Sequence, residues 1–411
     1  MAAHILDVYL SDIFVGKLKQ SKGGALTFAY DASYLEAEKP AISISLPTHA
    51  EKFNPDIVKS FFSGLLPEEG VRHRLAAHLG LSEKNAFALL EAVGGDCAGA
   101  LSLCLEGEKP QEQSDDIEVL DDKRLAEILD MIKRRPMLAG DDGYRLSLAG
   151  AQDKLAVGFK DGKVLLMKGG QPTTHILKPL IENVEDSVHN ELFCMKLAKA
   201  VGLNVPEASI HYVNDMPYYL VSRYDRSVSE SGIVTRVHQE DFCQALGLPS
   251  EKKYEREGGP SVSDCLNILR SHTLKPAADS IKFLDMLIFN YLIGNADAHG
   301  KNYSLLYTED KPELAPGYDL LCTEVYPDLS KKMAMKIGGK YEARDVYLKH
   351  WHKLVPETKA AQANMTKQLS AMAEKTTTEA KGLVNILANE GVSSPIFKDI
   401  VKAIDMMSIR L

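Results

Sequence analysis

Hydrophobic and polar positions change rhythm along this chain. Near the N-terminus, "ILDVYL", "GALTFAY" and "AISISL" are short apolar runs rich in β-branched or aromatic residues, so they predict strands, with "SKGG" as turn punctuation between the first two. "NPDIVKSFFSGLL" and "EEGVRHRLAAHLG" repeat apolar residues at helical spacing, the first opened by Asn54 as cap and Pro55 as first helical residue. "CAGALSLCLE" returns to strand character. The polar, charged stretch 107–117 then breaks the pattern and predicts a linker. Beyond it the period predicts a helix from Asp121 to Lys133. Strands follow in "YRLSLAG", in "KLAVGFKDGKVLLM" folded back at Asp161 and Gly162, and in "THILKPL". The helix "VHNELFCMKLAKAVG", ending at Gly202, precedes two more strands, "ASIHYV" and "PYYLVSRYD", joined through Asn214 and Asp215. From 238 to 411 the period is mostly helical, and only "NYSLLYT" and "ELAPGYDLL" read as extended. The order predicts an α+β chain in three parts: a small mixed domain over 1–106, a β-rich lobe with one helix over 118–237, and a helical lobe over 238–411.

Composition narrows the class. The chain has 411 residues, is 45% hydrophobic and 26% charged, and carries a formal net charge of -9, as expected of a folded multi-domain protein. That acidity disfavours nucleic-acid binding by bulk charge. "MAAHILDVYL" lacks the basic lead and apolar length of a signal peptide, and no run is long and apolar enough for a membrane helix. The six cysteines are scattered without a C-x-x-C pair, which predicts reduced thiols in a cytoplasmic protein.

The chemistry concentrates in "LIGNADAHGKNYSLL", where Asn295, Asp297, His299, Lys301 and Asn302 interrupt two apolar segments. Asp297 and Asn302 stand five residues apart, the spacing at which a kinase catalytic loop sets a proton-accepting Asp and a metal-holding Asn. Lys301 between them could neutralise charge on a transferring phosphoryl group, and His299 could hold the loop or reach a phosphate. The bland alternative is a capped helix end entering a strand. "GNADAHGKN" misses the phosphate-loop pattern by one residue and lacks its Ser or Thr. Downstream, Asp319 in "APGYDLL" reads as a second metal carboxylate or as a turn residue after Gly317. Lys178 closes "THILK" and Glu191 lies on the next helix, the strand-Lys and helix-Glu order of kinases, although a surface Lys is the alternative. The small residues Ala149, Gly150 and Ala151 in "SLAGAQDK" would let backbone N–H groups approach phosphates, if they are not an ordinary hairpin corner. "YLKHWHK" reads as a helix surface, "VRHRLAAH" as a solvated or partner-facing helix, and "YEREGGPS" as a lid, a docking loop or a connection.

Taken together, "SLAGAQDK", "THILKP", "NELFCMKLAKAVGLNVPEA", "SRYDR", "HQEDFCQALGLPSEKKYEREGGPS", "LIGNADAHGKNYSLL" and "YDLL", with "ISISLP", "FFSGLLPEE" and "GDCAGALSL" upstream, resemble the HipA family of bacterial serine/threonine kinases, the toxin half of HipBA toxin–antitoxin pairs. The resemblance implies a bilobal protein-kinase-like fold, with a β-rich N-lobe and helical C-lobe, plus an extra N-terminal α/β subdomain. It implies ATP and Mg2+ as cofactors, Asp297 as catalytic base, and Asn302 and Asp319 as metal ligands. Lys178, supported by Glu191, would contact ATP phosphates. Ala149, Gly150, Ala151, Gln152, Asp153 and Lys154 would lie over the nucleotide. Ser222, Arg223 and Tyr224 would form the adenine hinge, with Ser222 where the family can carry an acid. His299, Gly300, Lys301 and Tyr318 would complete the ATP site. Ser147 would be the autophosphorylation position, whose phosphate should repel ATP and drive its loop from the cleft. The implied partners are a HipB-like helix-turn-helix antitoxin, operator DNA mainly through that antitoxin, and a protein substrate such as glutamyl-tRNA synthetase, an aminoacyl-tRNA synthetase. Two other classes stay open: a silent kinase-fold partner of a DNA-binding repressor, against which the intact Lys178, Asp297, Asn302 and Asp319 argue, and a small-molecule phosphotransferase.

Overall fold

The computed structural model describes residues 4–111, 116–140, 146–168, 170–308 and 311–410. Four of the linker residues, 112–115, and the start of the "YRLSLAG" run lie outside that set. In chain order the elements are β1 (His4–Leu10), β2 (Ile13–Gln20), β3 (Leu26–Tyr30), α1 (Ala32–Glu36), α2 (Pro55–Ser63), α3 (Glu69–Leu79), α4 (Ala86–Val93), β4 (Leu101–Leu105), β5 (Ile117–Val119), α5 (Asp122–Met131), β6 (Leu155–Lys160), β7 (Lys163–Met167), β8 (His175–Pro179), α6 (Ser187–Ala200), β9 (Ala208–Val213) and β10 (Met216–Ser222). Then come β11 (Arg226–Val228), β12 (Val234–Arg236), β13 (His238–Asp241), α7 (Phe242–Ala245), α8 (Val262–His272), α9 (Pro276–Leu292), β14 (Ser304–Tyr307), β15 (Glu313–Leu314), β16 (Lys332–Ile337), β17 (Lys340–Glu342), α10 (Leu348–Trp351), α11 (Lys359–Asn389) and α12 (Ile396–Ser408). These elements form two compact units. The first comprises Met1–Pro179, His211–Glu251 and Leu305–Pro312; the second comprises Leu180–Ile210, Lys252–Ser304 and Glu313–Leu411.

The first unit is strand-rich. Its N-terminal sheet has the order β3-β2-β1-β4, antiparallel throughout, and a larger sheet has the order β5-β7-β6-β8-β10-β9. The β6–β7 hairpin turns on Asp161 and Gly162, both at positive φ, as the twist of a two-residue hairpin requires. Asn214 and Asp215 do the same between β9 and β10. One apolar core runs from Leu6, Val8 and Phe28 through Phe61, Phe62 and Leu90 to Leu155, Leu177 and Leu220. Burial of that continuous surface is the main favourable contribution to this unit's stability.

The second unit is helix-rich. α6 is buried on nearly every face, and its Phe193 stacks on Phe397 of α12 with ring centroids 5.0 Å apart. Phe283 of α9 meets Tyr303 edge-on at 5.0 Å, which seats the segment after α9 on the helix itself.

Several expectations need correction. "AISISL" is a turn: the buried Glu240 carboxylate accepts from Ser43 Oγ (2.5 Å) and Ile44 N (3.0 Å), drawing the backbone out of any ladder. The described part of "YRLSLAG" is extended but joins no sheet, touching only single bridges from Leu146 to Asp96 and Gly150 to Pro67. Residues 238–411 contain more strand than their period suggests. β16 and β17 form a hairpin around Gly338 and Gly339, both at positive φ, a turn that overrides the helical preference of "KMAMK". "YLKHWHK" is not a helix surface. His350 and Trp351 are buried, Trp351 packs edge-on to Tyr291 at 5.4 Å, and His350 Nδ1 accepts from Tyr347 N.

Candidate active site

The polar loop after α9 is built by its neighbours. α9 ends at Leu292 with Ile293 as its cap, and Gly294 turns the chain at φ +68; a Cβ there would stand 2.7 Å from Glu324 Cβ, so only glycine fits. Asn295 N–H then donates to Asn290 O at 2.8 Å, a bond that wraps the helix end. Asn295 Nδ2 donates to Asn290 Oδ1 (2.8 Å), and its Oδ1 accepts from Asp297 N (3.0 Å), making an Asx turn. Thr323 straps the same turn, accepting from Ala296 N and donating to Gly294 O. Three side chains beyond the turn, His299, Lys301 and Asn302, are buried, and Asp297 is exposed.

Asp297 and Asn302 therefore sit on one short irregular turn. A 3-10 turn at Gly300–Asn302 separates them, with His299 N donating to Asn302 Oδ1 at 3.2 Å. Asn302 Nδ2 lies 2.9 Å from Asp319 Oδ2, so the structure brings together the two residues expected to share a metal. Asp319 holds φ +58, a left-handed conformation that turns its half-buried carboxylate toward Asn302. In this arrangement His299 N engages the Asn302 oxygen, so the amide would have to give up that bond to turn its oxygen toward a metal beside Asp319. One carboxylate and one amide oxygen suit Mg2+, which takes hard oxygen donors, few of them from protein, and completes its shell with phosphate and water. Among the described residues no cluster of three or more His, Cys, Asp or Glu forms a dedicated metal cage. Tyr318 OH bonds Lys301 O and Ser304 Oγ, which fixes the loop's far end. Glu191 is buried on α6; its neighbour Asn190 accepts from Cys322 N (2.8 Å) and donates to Cys322 O (2.9 Å), tying α6 to the segment after Asp319.

The remaining predicted residues lie in the first unit. Lys178 closes β8 opposite Tyr219 of β10, is only 6% exposed, and holds its ammonium 5.7 Å from the Tyr219 ring centre. Ser222 ends β10, and Arg223 N donates to Thr174 O at 2.9 Å. The Arg223 side chain points inward, into a buried cluster with Asp225, Thr173 and the Cys97 carbonyl. Burial opposes charge on Asp225, but Arg223 and Arg226 outweigh it and hold that carboxyl well below the usual range. Tyr224 OH donates to Gln239. Ser147 has no exposed surface, and its hydroxyl donates to Leu65 O at 2.7 Å. From Ala149 to Lys154 the chain opens to solvent. Gly150 has φ +112, Lys154 Nζ donates to Ala149 O (2.8 Å), and Gln152 is half-buried. Asp153 pairs with Arg74 of α3, so the basic face of "VRHRLAAH" serves this loop.

Two participants escaped the sequence reading. Tyr254, in the "YEREGGPS" loop, donates its hydroxyl to Asp297 Oδ1 at 2.7 Å. Arg74 meets Asp153 across 79 positions of chain. Neither pairing leaves a local pattern. A tyrosine after two lysines was the faint signal for the first.

Comparison with known proteins identifies the family. The model of the HipA-like C-terminal domain matches residues 146–381, and that of the HipA N-terminal domain matches residues 6–104. The Y4mE protein of Sinorhizobium fredii is 46% identical over 362 residues, covering 87% of this chain and 86% of that protein. The serine/threonine-protein kinase toxin HipA of Shewanella oneidensis is 33% identical over 359 residues, covering 83% of this chain and 80% of that one. A chain of the solved Shewanella oneidensis complex of HipA, HipB and operator DNA superposes with a TM-score of 0.84 and 26% identity, over 98% of this chain and 96% of that chain. Fold and relatives define the class: the chain is a protein kinase with a kinase-like α+β fold. Within that class it belongs to the HipA family.

Proposed function

We propose that this kinase is the toxin of a toxin–antitoxin pair, an ATP- and Mg2+-dependent serine/threonine kinase that arrests growth by phosphorylating a translation component. The observation that carries the reading is the short irregular turn that carries both the exposed Asp297 and Asn302, with the Asn302 side-chain amide 2.9 Å from the Asp319 carboxylate. In the transfer, Asp297 accepts the proton of a seryl or threonyl hydroxyl as that oxygen bonds the γ-phosphorus. The bond from phosphorus to the bridging oxygen breaks, and ADP leaves with its electrons. Asn302 and Asp319 hold magnesium, which when bound neutralises phosphate charge. Lys178 is the cation for the α- and β-phosphates, and Glu191 is assigned the supporting role. His299, Gly300 and Lys301 line the phosphate side with Tyr318 behind them, and Ala149 to Lys154 covers the nucleotide. The hinge Ser222–Tyr224 holds adenine through backbone groups, consistent with the inward Arg223 side chain.

Ser147 is the site of self-inactivation. Its hydroxyl is fully buried against Leu65 O, so the loop leaves this seat for Ser147 to receive phosphate, and the phosphate, which the seat cannot accommodate, keeps it from returning. The partner is a HipB-like helix-turn-helix antitoxin, which supplies most contacts to operator DNA; the solved complex of the Shewanella oneidensis relative supports this assembly. The protein substrate is an aminoacyl-tRNA synthetase, with glutamyl-tRNA synthetase the first to test. Action on such a substrate is cytoplasmic; among the described residues no helix is long and apolar enough to cross a membrane. The domain reading that accompanies this function is an N-terminal subdomain over 1–106, a linker over 107–117, an N-lobe over 118–237 and a C-lobe over 238–411. The test is incubation with Mg-ATP followed by mass spectrometry, beside Asp297→Ala: the parent gains phosphate and the variant does not.

A further inference from the structure

We propose that Tyr254 is a positioning residue for Asp297, fixing one carboxylate oxygen so that the other faces the acceptor hydroxyl; the inference rests on the kinase reading of Asp297. The Tyr254 hydroxyl donates to Asp297 Oδ1 at 2.7 Å. Asp297 is exposed and sits on an irregular turn, where a carboxylate has several rotamers of similar energy. A phenol donor in a fixed place removes that freedom.

Tyr254 is held firmly enough to do this. On one side of it, Lys253 O accepts from Gly300 N in the catalytic turn itself (3.2 Å). On the other, Tyr254 O accepts from both Glu257 N and Gly259 N at 2.9 Å, closing a tight loop. Gly259 is required there, since a Cβ would stand 2.3 Å from Lys252 O. Glu255 anchors the loop to β16 by accepting Lys336 N at 2.6 Å and pairing with its ammonium at 3.4 Å. The ring meets the edge of His299 at 5.3 Å and the Arg256 guanidinium at 4.8 Å. A side chain braced in this way is a support for the base. A hydroxyl meant to swing aside for substrate, or to receive phosphate itself, would not need three backbone anchors and a side-chain one.

The test uses the full chain with Mg-ATP as the probe and protein-bound phosphate as the readout, for the parent, Tyr254→Phe, Tyr254→Leu and Asp297→Ala. Tyr254→Phe removes one oxygen and keeps the ring. It should lower the rate at saturating ATP about 10- to 100-fold, the scale of one hydrogen bond to a charged group, and leave the half-saturating ATP concentration unchanged. The acid limb of its pH–rate profile should move to higher pH, a shift that loss of packing alone would not cause. Tyr254→Leu should show the same limb shift with a lower melting temperature. An active parent whose rate and acid limb are matched by Tyr254→Phe would overturn the inference alone, as would phosphate recovered on Tyr254. A parent that binds ATP and transfers nothing, or an Asp297→Ala chain as active as the parent, would overturn the kinase reading and this inference with it.

Discussion

Replacing Ser147 by Asp tests the link between loop burial and nucleotide binding. The native hydroxyl is fully buried and donates to Leu65 O at 2.7 Å, while Ser147 N–H donates to Asp96 O at 2.9 Å. An aspartate keeps the backbone bond but sets a carboxylate against a carbonyl, acceptor facing acceptor. An unpaired buried charge costs several kcal/mol, and about 3 kcal/mol is a low figure for it. The loop escapes that cost by leaving its seat. A cost of about 3 kcal/mol shifts the seated-to-unseated equilibrium roughly 150-fold, and apparent ATP affinity falls by up to that factor. Ser147→Ala is the control. It loses one neutral hydrogen bond, worth about 1 kcal/mol, and leaves the loop seated. Calorimetric titration with Mg-ATP should therefore show near-parent affinity for Ser147→Ala and about 100-fold weaker binding for Ser147→Asp. Equal affinities for the parent and Ser147→Asp would refute the argument. So would a loss in Ser147→Ala as large as in Ser147→Asp, since the hydroxyl and not the charge would then be the cause.

Two further predictions concern the first unit. Burial pushes the Glu240 carboxyl up to about 7, against bonds from Ser43, Tyr307 and Ile44 N that favour its charged form. A raised carboxyl contributes stability below its unfolded value of 4.5 that is lost as pH rises through about 7. Glu240→Gln should remove about 3 kcal/mol of pH dependence between pH 5 and 8, read from urea midpoints at both; identical pH profiles in parent and variant would contradict it. Arg223→Ala strips the main partner from the fully buried Asp225 and should destabilise the unit by about 3–5 kcal/mol in urea denaturation, whereas a loss under about 1 kcal/mol would mean the cluster is energetically neutral.

How much was legible in sequence depends on how local each signal is. The Asp297–Asn302 spacing is read directly because one short turn carries both residues. The β6–β7 and β9–β10 hairpins were legible because their turn residues tolerate positive φ. β2 was missed because "IFVGKLKQ" follows β1 after only two residues and its lysines dilute the apolar pattern. "AISISL" has strand composition, but Glu240, some 196 positions away, claims its backbone. Tyr254 and Asp297 are 43 positions apart, and Arg74 and Asp153 are 79 apart, so neither pair has a period or motif to betray it. "SRYDR" was legible only as a family string that implies a hinge at Ser222 to Tyr224. Its arginines also close the buried ion cluster around Asp225, which no spacing rule announces.

The central claim is that Asp297 is the base of a phosphoryl transfer. Position-resolved mass spectrometry of the chain after Mg-ATP, beside Asp297→Ala with ATP binding measured in both, tests it most directly. The account predicts phosphate on Ser147 in the parent and none in Asp297→Ala, with ATP bound equally. Phosphate appearing in Asp297→Ala at the parent's rate, or none in a parent that binds ATP, would contradict it.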